Sequence, residues 1–492
     1  MAKRVIIVGG GIGGLSAAIR LQSQGYQVTI LEKNASVGGK MSQISDGDFR
    51  WDAGPSVITM KHVFDDLFAA AGRNFDDYVT LLPVEPSTRY FYPDGTKIDA
   101  SSDPKRMAAE ISKVDKRDVK GYQKYLKYAE TIHNVTGPVF IYDHPPSPAS
   151  FAKVPITKWM KADPLRSMQD AIKSHVRSPQ MRQLLGRFAT YVGGSPYDAP
   201  ATLNVIAHVE LSGGVYYPQG GIYRLAEGMA QLAEELGVEI CTDTPVQQIA
   251  MKNNHITGVT LANGDKIDAE IVVANLDVTS TYKHLLPKTS YTTQRLQKLE
   301  SFDLSCSGFI MMLGVEGTYP QLAHHNIFFS RDYQREFKQI FNQSVPPDEP
   351  TIYISITSKA DPDHAPDGHE NWFLLVNAPA LSKRYDWAKH TESYRERVLN
   401  RLAKFGIDVR ERIVTEHIMT PADLQAHNGA WRGALYGQSP NSKWTAFRRP
   451  NNRDETISGL YFAGGTTHPG GGVPMVTLSG KVAAEMIAED FG

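Results

Sequence analysis

At 492 residues, with 41% hydrophobic and 21% charged side chains, the chain has an ordinary globular composition and the length of two or three domains. Its 52 basic and 53 acidic residues give a formal net charge of −1 and no basic block stands out, which argues against nucleic acid as a partner. Two cysteines, Cys241 and Cys306, rule out a disulfide framework and a C-x-x-C redox pair, and no run of about 18 apolar residues offers a membrane-spanning helix.

Met1-Ala2-Lys3-Arg4 leads into the first apolar run without a signal-peptide pattern, so a reducing cytosol is the expected compartment. Residues 4–8 predict a strand, Gly9-Gly10-Gly11-Ile12-Gly13-Gly14 a turn, 15–24 a helix stopped by Gly25, and 28–31 a second strand ending at Glu32. Gly9, Gly11 and Gly14 fit G-x-G-x-x-G: a tight turn, close backbone approach to a pyrophosphate, and close packing of helix on strand. The free N–H groups at the start of that helix favour an anion. Glu32 lies where an acid accepts hydrogen bonds from a ribose 2′-OH, which favours NAD or FAD over NADP, whose 2′-phosphate it would repel. The alternative is a glycine-rich turn that binds nothing.

Further along, 63–71 reads as a helix ending at Gly72, and 89–92 with 96–98 as a hairpin around Pro93-Asp94-Gly95. Residues 104–209 are largely helical in character, broken by Pro145-Pro146 and Pro148. Their aromatic residues, among them Tyr122, Tyr125, Tyr128, Phe140, Phe151 and Trp159, read either as helix core or as the lining for a long apolar ligand or a lipid-facing surface. A helix over 222–236 is followed by a meander of short strands from 238 to 274. Between 281 and 435, strands at 309–315, 352–356 and 372–376 and an amphipathic helix at 392–405 predict a sheet with helices. His324-His325 lacks the spaced partners of a zinc site, and no metal is expected. At the C-terminal end, 459–465 predicts a strand running into glycines and 475–488 a helix, with Pro474 preorganised for the helix start.

The strings NASVGGKM (34–41) and Arg50-Trp51-Asp52-Ala53-Gly54-Pro55 extend the first motif to E-K-x-x-x-x-G-G-[KR] and D-x-G-P. This head resembles that of the phytoene desaturase and amine oxidase superfamily. The resemblance implies an α/β fold: a Rossmann-like FAD-binding domain of glutathione-reductase/amine-oxidase type, with a discontinuous α+β substrate domain of sheet and helices. It implies FAD as cofactor, contacted by Gly9, Gly11, Gly13, Gly14, Glu32 and Lys33, by Gly39 and Lys40 beside the phosphates, and by Gly54 and Pro55. Val246 would meet the adenine end through its backbone, while Gly464, Gly465, Gly472, Val473, Pro474 and Met475 would face the flavin. Residues 1–75, 210–280 and 436–492 would form the FAD domain, and 76–209 with 281–435 the substrate-binding, membrane-associating domain.

VGGSPYDAPA (192–201), YYPQGGIYRLAEGMAQLA (216–233), QLAHHNIFF (321–329) and LYFAGGTTHPGGGVPMVTLSG (460–480) are similar to the bacterial carotenoid desaturase and oxygenase family over the whole chain. RGALYG (432–437) and the tail from Gly470 resemble the branch that oxidises terminal methyl groups of acyclic C30 carotenoids such as diaponeurosporene or diapolycopene, whereas Thr467-His468-Pro469 is closer to the desaturases. The resemblance thus implies an FAD-dependent carotenoid oxidoreductase of carotenoid biosynthesis: a terminal oxygenase, or alternatively a desaturase. Readings of another kind are an oxidase of amines or porphyrinogens and a non-catalytic isoprenoid carrier. A lipophilic carotenoid substrate, dioxygen or a quinone as electron acceptor, and peripheral attachment to the inner face of the cell membrane are implied with it. No catalytic base is identified; His468 and Arg432 are the candidates for a role in catalysis or in shaping the tunnel.

Overall fold

The computed structural model describes residues 3–147, 155, 159–442 and 449–492. Pro148 and Phe151 of the aromatic stretch, and Met1 and Ala2, lie outside them. A five-stranded, wholly parallel sheet is ordered Leu460–Phe462, Ile271–Ala274, Arg4–Val8, Gln27–Leu31, Glu239–Cys241. Its strands are near-continuous apolar runs because both faces are covered. Val5 and Ile7 pack on the helices Ile12–Ser23, Tyr223–Glu235 and Val473–Phe491, while Ile6 and Val8 pack towards the antiparallel meander Val246–Lys252, His255–Leu261, Lys266–Asp268.

The first and last helices of this layer cross at close range. A Cβ at Gly480 would overlap the carbonyl oxygen of Gly13 and stand 2.8 Å from the Ala17 nitrogen, and the Ser16 hydroxyl donates to the Thr477 carbonyl oxygen at 2.7 Å. This contact fixes the two helix N-termini relative to each other.

A second sheet of seven strands runs Ile413–Met419, Ser307–Glu316, His369–Ala378, Ile352–Ile356, His325–Phe328, Thr88–Phe91, Lys97–Ala100, antiparallel except between His325–Phe328 and Thr88–Phe91. The two-residue period of a strand sorts its side chains between two surroundings. Phe309, Met311, Ile354, Trp372 and Leu374 pack on the helix Trp387–Ala403, whereas Ile310, Tyr353, Phe373 and Leu375 line an internal cavity. A layer of helices, including Lys116–Thr136 and Val205–Gly213, closes the cavity from the other side with Thr136, Val205, Ile206 and Val209.

The architecture is the α/β fold expected, and most predicted elements appear within a few residues of their expected ends. The first helix starts earlier, at Ile12, so Gly13 and Gly14 belong to its first turn, and the helix expected at 392–405 spans Trp387–Ala403. Tyr216–Pro218, just ahead of the helix expected at 222–236, is a strand that was not predicted, paired with Leu81–Pro83. Three-residue strands are too short to display an alternating pattern.

Candidate active site

One cavity of about 640 Å³ runs from the G-x-G-x-x-G turn to the seven-stranded sheet and the helical layer. At its dinucleotide end the buried carboxylate of Glu32 accepts hydrogen bonds from the Gly10 N–H at 2.7 Å and from the Asn34 N–H and side-chain amide at 2.9 and 2.8 Å. The backbone thus holds the acid at the tip of the second strand, in the cavity wall. Gly14 sits behind the turn, where a Cβ would stand 2.5 Å from the Gly9 oxygen, and Gly13 lies against Gly464. Neither lines the cavity; they let the first helix approach the turn. The expected contacts Gly9, Gly11, Lys33, Gly39, Lys40 and Glu32 all line it, as do Gly54, Pro55 and Val246 and, on the C-terminal side, Gly464, Gly465, Gly472, Val473, Pro474 and Met475. At Gly54 any side chain would run into the Lys40 carbonyl.

These residues suit FAD on physical grounds. The first and last helices start at Gly11 and Gly472 with no side-chain cap, and both glycines line the cavity. Their orphan N–H groups want electron-rich partners, such as a diphosphate would offer at one end and a flavin ring edge at the other. Lys40, half-buried in the cavity wall, donates to the Leu435 carbonyl oxygen at 2.6 Å. Burial pulls its ammonium below the usual lysine range, opposed by the charge of Asp277, itself raised by burial.

In the substrate part, Ser56 and Tyr353 share a hydrogen bond of 2.6 Å, and Tyr353 meets His325 Nδ1 at 2.8 Å. Arg187 lines the cavity: its guanidinium donates to the buried Tyr90 Oη at 2.6 Å and the half-buried Tyr191 Oη at 2.9 Å, and it is ion-paired with the buried Glu210. Two further polar side chains, Tyr436 and Arg449, reach the wall beside Gly470 and Gly471.

His468 and Arg432 are elsewhere. The His468 imidazole is buried with Nε2 2.9 Å from the Asp143 carbonyl oxygen, and Arg432 donates to the Leu381 carbonyl oxygen at 2.6 Å. The cavity is lined by their chain neighbours Pro469 and Leu435. Arg187, Tyr353 and Arg449 were absent from the sequence-based set, because none stands in a motif; their shared place arises only from the packing of distant segments. His324 and His325 are buried and meet edge to face at 4.4 Å, and no group of three potential metal ligands gathers among the described residues.

Burial pushes His324, His364 and His468 down to about 4 and His325 well below its ordinary value. In the unfolded chain each takes up a proton near pH 6.5, so their contribution to stability is present above that pH and lost as the pH falls towards 4. Glu336, raised by burial from 4.5 to about 7, has the opposite sign over its window, as have Asp52 and Asp277 at the acid end. Four imidazoles outweigh one overlapping carboxyl. The melting temperature is expected to fall steadily between pH 6.5 and 5; a rise would contradict the buried neutral state of these histidines.

A parallel dinucleotide sheet, a capless helix at each end of one cavity and an apolar substrate chamber define an FAD-dependent oxidoreductase. Residues 12–488 match the model of the flavin-containing amine oxidoreductases, and the chain belongs to that family. It is 38% identical over 491 residues, 99% of this chain and 98% of the relative, to a 4,4′-diaponeurosporene oxygenase of Staphylococcus aureus strain bovine RF122 / ET3-1, and equally to that of strain MRSA252. Among solved structures, an oxidoreductase from Methanosarcina mazei shares the fold with a TM-score of 0.67 at 17% identity, over 98% of this chain and 100% of the other. Cyclohexylamine oxidase from Brevibacterium oxydans IH-35A does so with a TM-score of 0.60 at 18% identity, over 100% of this chain and 99% of the other.

Proposed function

We propose that the chain oxidises terminal methyl groups of an acyclic C30 carotenoid, of the diaponeurosporene or diapolycopene type, to aldehyde. The observation that carries this is the chamber continuous with the FAD cradle, walled by Ile310, Phe373, Leu375, Ile327, Ile206 and Val209. Such a wall suits a polyene. A protonated amine would instead meet the Arg449 guanidinium, which pairs with no carboxylate among the described residues. The likeness to the diaponeurosporene oxygenases supports the same reading.

When bound, FAD would supply the acceptor for oxidation of a C–H bond that the polyene activates, and dioxygen would supply the oxygen atom, so that overall a methyl group and one dioxygen give one aldehyde and one water. The chain positions and desolvates. The sheet residues and the helical layer hold the polyene and exclude water, the Tyr353–His325 pair orients the Ser56 hydroxyl at the wall, Lys40 would sit beside the cofactor's phosphates, and the N-terminus of the last helix would favour negative charge on the flavin. Dioxygen or a quinone would take the electrons onward.

To test this, the purified FAD-loaded protein is incubated with diapolycopene in vesicles and the products are read by mass. A product that gains one oxygen and loses two hydrogens is expected. Loss of hydrogen pairs alone would make the chain a desaturase, and unchanged pigment would leave a carrier.

A lipid-soluble substrate calls for peripheral attachment to a membrane, and none of the helices among the described residues is long and apolar enough to cross one. Met160 and Leu165, 61% and 64% exposed, follow the helix Lys116–Thr136 and the cavity-lining Phe140 and Ile141 in the chain, and we assign the membrane contact to this region. The protein is expected to float with anionic liposomes, and the Met160→Glu/Leu165→Glu variant to float several-fold less. Wild-type protein that stays in the dense fraction would contradict the attachment.

A further inference from the structure

Arg449 is a charge without a counter-charge. It donates one hydrogen bond, from Nη1 to the Tyr436 carbonyl oxygen, and no carboxylate among the described residues pairs with it. Arg187, the other arginine of the wall, has Glu210. Burial alone pulls the Arg449 guanidinium down to about 10. Tyr436 is in the same position: its phenol lines the cavity and has no hydrogen-bond partner among the described residues, and burial holds it above the usual tyrosine range. The two stand side by side in the cavity wall, with the Arg449 guanidinium on the Tyr436 carbonyl oxygen. The Arg449 Nε lies 3.6 Å from where a Gly470 Cβ would be, and a Cβ at Gly471 would overlap the Tyr436 ring, so both side chains border the glycines that precede the last helix.

Both side chains are half-buried in the cavity wall, and once an apolar ligand fills the cavity their spare donors are costly unless an acceptor reaches them. A hydrocarbon polyene brings none. The ring edge of the cofactor already has the uncapped N-terminus of the last helix at Gly472–Val473. We infer that Arg449 and Tyr436 form a two-donor seat for an oxygen atom on the substrate's end group, so that the protein binds carotenoids already carrying a terminal hydroxyl or aldehyde. The inference rests on the carotenoid reading above and deepens it: the end that has gained oxygen is held at the reacting position rather than released after one step.

The test compares binding of diapolycopene and of its terminal aldehyde to the FAD-loaded wild type, Arg449→Gln, Arg449→Lys and Tyr436→Phe. The wild type is expected to prefer the aldehyde by about tenfold or more, the gain a charge-assisted hydrogen bond gives. The absorption band of the bound aldehyde should also move to the red, because a cation at the carbonyl oxygen draws charge along the polyene. Arg449→Gln should lose both the preference and the shift, Arg449→Lys should keep part of each, and Tyr436→Phe should weaken the preference. Retained FAD and unchanged hydrocarbon binding would show that the variants are folded. Equal affinity for the two pigments in the wild type, or a preference that survives in Arg449→Gln, overturns the inference. So does an Arg449→Gln variant altered only in its flavin spectrum, which would assign the guanidinium to the cofactor. Wild type that prefers the aldehyde yet fails to oxidise the hydrocarbon would leave this seat standing and remove the proposed reaction.

Discussion

Arg187→Ala is expected to lower unfolding stability by about 3–5 kcal/mol, the cost of breaking a buried ion pair from one side. The side chains of Arg187 and Glu210 are only 5% and 1% exposed, so the deletion strands a carboxylate where water does not reach. It also removes the donor to Tyr90 and Tyr191 and so loosens the join between the strand Thr88–Phe91 and the helix Val205–Gly213. The double change Arg187→Met/Glu210→Leu removes both charges while keeping volume, and should recover most of the loss. Denaturant midpoints at constant slope measure both. A single variant as stable as wild type would mean that Glu210 finds another partner or takes up a proton cheaply.

The second large effect is expected at Gly480. Alanine there places a methyl group against the Gly13 carbonyl oxygen and 2.7 Å from Ser16 Cβ. Overpacking usually costs about 1–3 kcal/mol, and the upper end applies here because backbone rather than a flexible side chain faces the new atom. Parting the first and last helices also changes the spacing of the two N-termini that the cofactor must bridge. Gly480→Ala should therefore melt several degrees lower and lose FAD on dialysis under conditions where the wild type keeps it. Retention equal to wild type would show that the helix crossing does not set the cradle.

The dinucleotide half of the site was legible because its signals are local: Gly9, Gly11, Gly14 and Glu32 lie within one strand–helix–strand unit, and each answers a steric or hydrogen-bonding need of that unit. Even there the sequence does not reveal that the Gly10 and Asn34 N–H groups hold the Glu32 carboxylate. The substrate half was legible only as a class. The continuous apolar runs at 309–315 and 372–376 predicted strands, but which of their faces meets the helix Trp387–Ala403 and which meets the cavity depends on a partner distant in sequence.

His468 illustrates why nearness in sequence misleads. It precedes Pro469, which lines the cavity, yet its own ring points to Asp143. Arg449 is the converse case, an arginine in an aperiodic stretch that gains meaning only where Tyr436, Gly470 and Gly471 come together.

The proposed chemistry requires one cavity joining the first and last helices around FAD. The most direct test is the FAD content of purified, well-folded wild-type protein after exhaustive dialysis, read against protein concentration. One FAD per chain is the expected result; folded protein that is colourless and takes up no added FAD would contradict it.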